Sequence, residues 1–345
     1  MSETLTVACL GAGYFSRFHR DAWQRIEGVR MVGISDMAPQ RATDSGLPSF
    51  ADLQMMLSGT RPDIMDIVIP PGGHLAAIRT ALDAGVKAII CQKPFCASPQ
   101  EAREAAALAR AARTPLVIHE NFRFQPWFRA IRAALDAGAL GTVLNAAFRM
   151  RTGDGQGQDA YSDRQPYFRQ MPRLLIHETG VHYIDTFCFL FGTPTAVYAD
   201  LRRCNPVIAG EDAAQVIFSH AGAMRSVYDG NRLLDHATDD PRLTFGEALI
   251  EGTDAVVTLT GDGAVHIRRF GAKNQETLLR PAFYPGFAGD CVHALQQHVV
   301  SGLRNGTGFE NLAHDYLRVM DLEELVYRSD AEGRKLEYAD AGNHD

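Results

Sequence analysis

Two places in the sequence carry residues suited to moving a proton and stabilising charge on an alcohol oxygen. Lys93 stands in Cys91-Gln92-Lys93-Pro94, directly after the apolar run at 87–91. A lysine at the end of a buried strand points into a cleft, where its ammonium can donate to a hydroxyl and stabilise an alkoxide as it forms. An exposed loop lysine is the other reading of that position. His182 follows Glu178 by four residues in Glu178-Thr179-Gly180-Val181-His182-Tyr183-Ile184-Asp185. Residues four apart on a helix share a face, and a histidine beside a carboxylate titrates near neutrality, which suits general acid–base work on an alcohol. A buried, internally bonded histidine is the alternative. A zinc pair could use the same spacing, but no third ligand stands at metal spacing, so no metal is expected.

A third place could hold a phosphate. The apolar run at 5–10 leads into Gly11-Ala12-Gly13-Tyr14-Phe15-Ser16, a G-x-G-x-x-G pattern with serine in the third place, and a helical stretch opens behind it. Gly11 permits a tight turn, Gly13 lets the backbone approach a pyrophosphate, and the helix start offers free N–H groups; the small Ser16 permits close helix–strand packing. Asp36 ends the next apolar run, twenty residues past Ser16. A carboxylate there accepts the ribose hydroxyls of adenosine and repels a 2′-phosphate, so NAD is expected. Capping of the following helix is the other reading of Asp36, and the nearby Arg41 keeps NADP open.

The remaining polar residues at strand ends are read by the rule that ligands of open α/β sheets bind at the carboxyl ends of strands. Pro70-Pro71-Gly72-Gly73-His74 stops one strand and starts a helix, which makes Pro70 and His74 candidates for cofactor contact; a surface histidine is the alternative. His119-Glu120-Asn121-Phe122-Arg123-Phe124 stops another, with Asn121 and Arg123 as donors to nicotinamide or substrate oxygens and Glu120 as a structural partner of Arg123. Tyr14, Phe15, Gln92, Lys93, Asn121 and Gln165 join the expected cofactor-binding set. Arg123, Arg164 and Asn231 join Lys93, Glu178 and His182 in the expected substrate set.

The elements that must position these groups follow from periodicity. In the first third, short apolar strands at 5–10, 30–35, 64–69, 87–91 and 115–119 alternate with helical stretches at 14–25, 52–57, 74–84 and 99–112. That alternation predicts an α/β, doubly wound parallel sheet. Gly85 reads as a helix C-cap and Ser98-Pro99 as an N-cap followed by proline. After Phe124 the rhythm changes: helices at 126–137 and 178–191, strands at 143–151, 196–203, 213–220, 224–229, 248–252, 255–260 and 265–269, then helices at 289–302 and 311–328. This predicts an α+β second domain with a mainly antiparallel sheet. Two domains are expected, a nucleotide-binding one over 1–124 and a substrate-binding and oligomerisation one over 125–345.

Composition narrows the function classes. The 345 residues hold 34 Lys and Arg against 41 Asp and Glu, a formal charge of −7, and no basic run of five, so no nucleic-acid or anionic-membrane partner is expected. The six cysteines show no C-x-x-C spacing and sit mostly in apolar runs, which fits a reducing cytoplasm. The N-terminal stretch has no signal-peptide pattern, and no apolar run is long enough for a membrane helix.

Taken together, Gly11–His19, Asp36, Pro70–His74, Gln92–Pro94, Glu120–Phe124 and Glu178–Asp185 resemble the glucose–fructose oxidoreductase/inositol dehydrogenase (Gfo/Idh/MocA) family over essentially the whole chain. The resemblance implies a Rossmann domain followed by an α+β domain with an open, mainly antiparallel sheet, NAD(P), and a homodimer or homotetramer built through that sheet. It implies that Lys93 and His182 are catalytic and that Glu178 stands where the family has aspartate. The family's Glu-Lys-Pro reads Gln92-Lys93-Pro94 here. The run from Arg164 to Phe187, with the segments around Cys91, Asn121, Asn205 and Cys291, is similar to the subgroup acting on D-apiose, implying oxidation of a small sugar at its anomeric carbon to a lactone. Another polyol dehydrogenase such as one acting on inositol, a glycosidase or sugar–sugar oxidoreductase with retained NAD, a non-catalytic sensor, and an imine or biliverdin type of reductase are the alternatives.

Overall fold

The computed structural model describes residues 4–163 and 165–339. Its first sheet contains β1 (Leu5–Leu10), β2 (Val29–Ser35), β3 (Ser49–Phe50), β4 (Ile64–Ile67), β5 (Ala88–Cys91) and β6 (Leu116–Ile118), in the spatial order β3-β2-β1-β4-β5-β6. Every pairing in it is parallel. A parallel sheet is covered on both faces, which requires nearly continuous apolar strands, and β4, β5 and β6 are buried at every position. The strand order reverses between β1 and β4, the place where such sheets bind ligands at their carboxyl ends.

Between the strands run α1 (Ser16–Arg25), α2 (Pro39–Thr43), α3 (Leu53–Thr60), α4 (His74–Asp83) and α5 (Pro99–Ala112). Their ends follow local chemistry. Asp52 accepts the Met55 N–H at 2.7 Å to start α3, and Ser98 accepts the Glu101 N–H at 3.2 Å to start α5 with Pro99 in its first turn. Gly85, at φ +73°, closes α4 as expected.

The chain divides into two compact units: Met1–Asn121 with Asp290–Leu317, and Phe122–Gly289 with Arg318–Asp345. The later segment completes the first unit's own sheet edge. Val117 and Leu312 form a β-bridge, Ile118 donates its N–H to Asn311, and Asn311 Nδ2 donates back to the Glu120 carbonyl.

The second unit contains α6 (Pro126–Asp136), α7 (Val181–Phe191), α8 (Pro241–Thr244) and a nine-stranded sheet. Its strands are β7 (Val143–Arg151), β8 (Ala196–Arg202), β9 (Ala213–Ser219), β10 (Arg225–Asn231), β11 (Gly246–Gly252), β12 (Ala255–Leu259), β13 (Val265–Arg269), β14 (Glu276–Leu279) and β15 (Leu336–Glu337). The order is β14-β13-β12-β11-β7-β10-β9-β8-β15, and only β7 with β10 pair in parallel. The two long C-terminal helices are α9 (Phe287–Asn305) and α10 (Ala313–Glu332). Tyr183 of α7 packs its ring on Phe148 of β7 at 4.1 Å and on Tyr228 of β10 at 5.1 Å, and Phe187 meets Phe218 of β9. The opposite face carries a cross-strand row, Leu249–Ala147–Val227–Ile217–Tyr198, paired strand by strand. Leu249, Ile217 and Tyr198 in that row are exposed.

The α/β-plus-α+β class expected from periodicity is the observed one. The short strands β3 and β15 and the polar, exposed β14 fall outside the predicted set because two residues, or a row without an apolar face, leave no alternation to detect. No helix among the described residues is long and apolar enough to cross a membrane.

Candidate active site

In the first unit, the turn after β1 is built around the absence of two side chains. Gly11 has φ +105°, and a Cβ there would lie 2.1 Å from the Val68 carbonyl oxygen, so only glycine lets the chain after β4 pass so close. Gly13 differs: its backbone is ordinary and a Cβ would meet no protein atom within 4 Å. Ser16 is fully buried with its hydroxyl 3.9 Å from Cys9 Sγ, the close helix–strand packing that a small residue permits. Asp36 accepts the Ala12 N–H at 2.6 Å through one oxygen and the Ala38 N–H at 2.7 Å through the other. The carboxylate therefore ties the glycine turn to the end of β2 while remaining partly exposed. Tyr14 is exposed beneath the Arg17 guanidinium, and Phe15 packs edge-on against His19 and His119.

The segments after β4 and β5 are joined by His74. Its ring is completely buried, Nε2 donates to the Ile69 carbonyl at 2.8 Å, and Nδ1 accepts the Cys96 N–H at 3.2 Å. Burial lowers its pKa, opposed by the bond to Ile69. Both ring nitrogens are thus engaged by protein, and His74 fixes two loops; Pro70 is exposed beside it. Burial raises the Cys96 thiol to about 12.

Lys93, half-buried, follows β5 and precedes a cis peptide bond to Pro94. Its backbone N–H donates to Gln92 Oε1 at 2.8 Å, and Gln92 Nε2 lies 3.1 Å from His19 Nε2. His19 Nδ1 lies 2.9 Å from Asp66, which also accepts the Trp23 indole N–H at 2.7 Å. Asp66, His19 and Trp23 are fully buried. Asn121, also buried, has its side-chain Nδ2 without a hydrogen-bond partner. Sequence reasoning missed the depth of this network, because Asp66 sits in an apolar strand with no neighbouring signal.

In the second unit the expected Glu178–His182 helix face is modified. Leu175–Gly180 forms one π-helical turn before α7 begins at Val181, so the spacing of four does not carry over unchanged from Glu178 to His182. At the start of this turn the Glu211 carboxylate accepts the N–H groups of Leu174 and Ile176 at 3.2 and 3.0 Å and the Tyr327 hydroxyl at 2.7 Å. His182 is buried, its ring stacked on Phe122 at 4.0 Å and 7°. Glu178 is partly exposed.

Arg123 holds Asp185 bidentately, with Nε at 2.8 Å and Nη2 at 2.5 Å, and both residues are buried. Arg232 is a functional candidate that sequence reasoning passed over in favour of its neighbour. It is buried, donates to Thr179 Oγ1 at 2.6 Å, and faces Asp154 and Tyr161. Burial by itself opposes its charge, but Asp154, Tyr161 and Glu178 more than restore it and hold the guanidinium above its usual range. Asn231 Oδ1 accepts the Leu233 N–H at 2.9 Å, and Gln165 donates to the Tyr167 hydroxyl at 3.1 Å. Arg164 lies outside the described residues.

The first unit's features fit a dinucleotide: an open position at Gly13, backbone N–H groups at a helix start, a carboxylate at the end of β2, and the buried Asn121 amide nitrogen without a hydrogen-bond partner. Residues 5–119 match the oxidoreductase family with an NAD-binding Rossmann fold, and residues 128–255 match the GFO/IDH/MocA C-terminal domain. The chain is 33% identical over 342 residues to a D-apiose dehydrogenase of Paraburkholderia graminis, covering 96% of this chain and 88% of that protein. It is 29% identical to a D-apiose dehydrogenase of Rhizobium rhizogenes, covering 96% of each. An oxidoreductase from Agrobacterium radiobacter, solved with NAD+, L-tartaric acid and magnesium, superposes with a TM-score of 0.86 at 28% identity, covering 97% of this chain and 98% of that one. The chain belongs to the GFO/IDH/MocA family and is an NAD-dependent oxidoreductase with a Rossmann fold.

Proposed function

We propose that the chain oxidises D-apiose at its anomeric carbon to a lactone, with the first unit, residues 290–317 included, holding NAD and the second unit supplying the sugar site. The observation that carries this reading is likeness to two D-apiose dehydrogenases over 96% of the chain, both units included. Bound NAD supplies the acceptor for the hydride that leaves the anomeric carbon. His182 takes the hydroxyl proton as the C–H bond breaks and the carbonyl forms. The Lys93 ammonium donates to the same oxygen and stabilises its negative charge. Glu178 orients one of these two groups, while Arg164 and Asn231 contact the sugar. Arg123, engaged with Asp185, keeps the first turns of α7 in place. Gly11, Gly13, Tyr14, Phe15, Asp36, Asn121 and Gln165 complete the cofactor site, with Pro70 and His74 shaping its loops.

The test is NADH formation by purified protein with D-apiose, other pentoses, hexoses and inositols, repeated with NADP. Turnover with D-apiose and NAD, reduced by a factor on the order of 10² to 10⁴ in Lys93→Ala and His182→Ala, is the expected result. Near-full turnover in both variants removes the mechanism. Silence across the panel with NAD still bound removes the function.

A further inference from the structure

Gln92 entered as a cofactor contact, yet the first unit uses both ends of its amide internally. Its Oε1 accepts the Lys93 N–H and its Nε2 meets His19 Nε2. An amide nitrogen only donates and a carboxylate only accepts. His19 must therefore accept from Gln92 at Nε2 and donate to Asp66 from Nδ1, which defines a neutral ring with its proton on Nδ1. Around this ring stand Asp66 on β4, His119 after β6 at 4.1 Å between ring centroids, and Trp23 and Phe15 from the α1 region. Gln296 of α9 donates to the His19 carbonyl at 3.2 Å.

We propose that Gln92 is a positioning residue: it couples the buried Asp66–His19 pair to the Lys93 backbone and holds the His19 ring in its neutral form with the proton on Nδ1. An ionised glutamate at this position could not donate to Nε2. With Asp66 still accepting from Nδ1, it would require a proton on Nε2 as well, giving an imidazolium between two carboxylates. Alanine would remove the acceptor of the Lys93 N–H altogether. The role of Lys93 in turnover rests on the proposed function, but the coupling does not.

The coupling is read by NMR on the full chain. Ring ¹⁵N shifts, with His19 assigned by its loss in His19→Asn, should show one protonated and one bare nitrogen in the wild type and two protonated nitrogens in Gln92→Glu. In Gln92→Ala the Lys93 amide should exchange with solvent at least about tenfold faster, while NAD affinity by titration stays within about twofold and kcat falls by up to about 10². An unchanged His19 tautomer in Gln92→Glu, or unchanged Lys93 exchange in Gln92→Ala, overturns the proposal. So does a tenfold loss of NAD affinity with kcat intact, which would make Gln92 a cofactor contact. If the wild type turns over no sugar, the function fails while the two NMR readouts and the titration still decide the coupling.

Discussion

Replacing Gly13 with alanine separates the demands of folding from those of the ligand. The backbone at Gly13 is one that alanine adopts, and the added methyl would meet no protein atom within 4 Å. Folding therefore gives no reason for glycine, and alanine should stabilise the chain by about 0.4–1 kcal/mol by restricting its unfolded state. A pyrophosphate oxygen held by the turn's N–H groups at about 2.9 Å would be displaced by that methyl beyond hydrogen-bonding distance. Losing one charge-assisted bond costs about 1.5–3 kcal/mol, or about 10- to 150-fold in Kd. Gly11→Ala should behave oppositely. Its Cβ would lie 2.1 Å from the Val68 oxygen at φ +105°, so backbone must move, at a cost of about 3 kcal/mol or more. The assay is NAD titration paired with thermal unfolding. Gly13→Ala should unfold at or slightly above the wild-type temperature and bind NAD at least about tenfold more weakly, whereas Gly11→Ala should lose thermal stability first. If Gly13→Ala binds NAD within about twofold of wild type, the inference from open space to ligand space is wrong.

Asp36→Ala should weaken NAD and narrow the gap to NADP, since it removes the carboxylate that repels a 2′-phosphate; an unchanged NAD-to-NADP ratio in titration would remove Asp36 from cofactor choice. Asp185→Ala leaves the buried Arg123 guanidinium without its bidentate partner and should cost about 3–5 kcal/mol in denaturant unfolding. Burial lowers the pKa of His220 as well as His74 below 6.5, so on acidification the unfolded chain takes up protons first. Their stabilising contribution is present above that value and is lost as pH falls below it; His220→Gln should flatten the loss of thermal stability between about pH 7 and 5. We expect homodimers or homotetramers through the exposed row on the second sheet, so Ile217→Arg should lower the mass seen by light scattering.

Much of the local geometry around the candidate residues was legible because glycine, proline and aspartate at strand ends act locally. The Gly11 turn, Asp36, the Ser98 cap and Lys93 at the end of β5 each follow from a few adjacent residues and one apolar run. What escaped depends on partners far along the chain. The π-helical turn under Glu178 starts against Glu211, more than thirty residues later in the chain, and nothing within the helix marks it. His74 looked available in sequence, yet Ile69 and Cys96 occupy both its nitrogens. The buried charge of Arg232 rests on Asp154 and Tyr161, some seventy residues earlier in the chain.

The return of residues 290–317 to the first unit has a consequence for inheritance. A nucleotide-binding half cut at residue 124 would leave β6 without its bridge to Leu312, Glu120 without Asn311 and Tyr316, and the His19 carbonyl without Gln296. Exchange of that half between related enzymes must therefore transfer two distant stretches together. Recombination at a single crossover would part the nucleotide-binding segment from residues 290–317, most of α9 and the first residues of α10, which belong to the same unit.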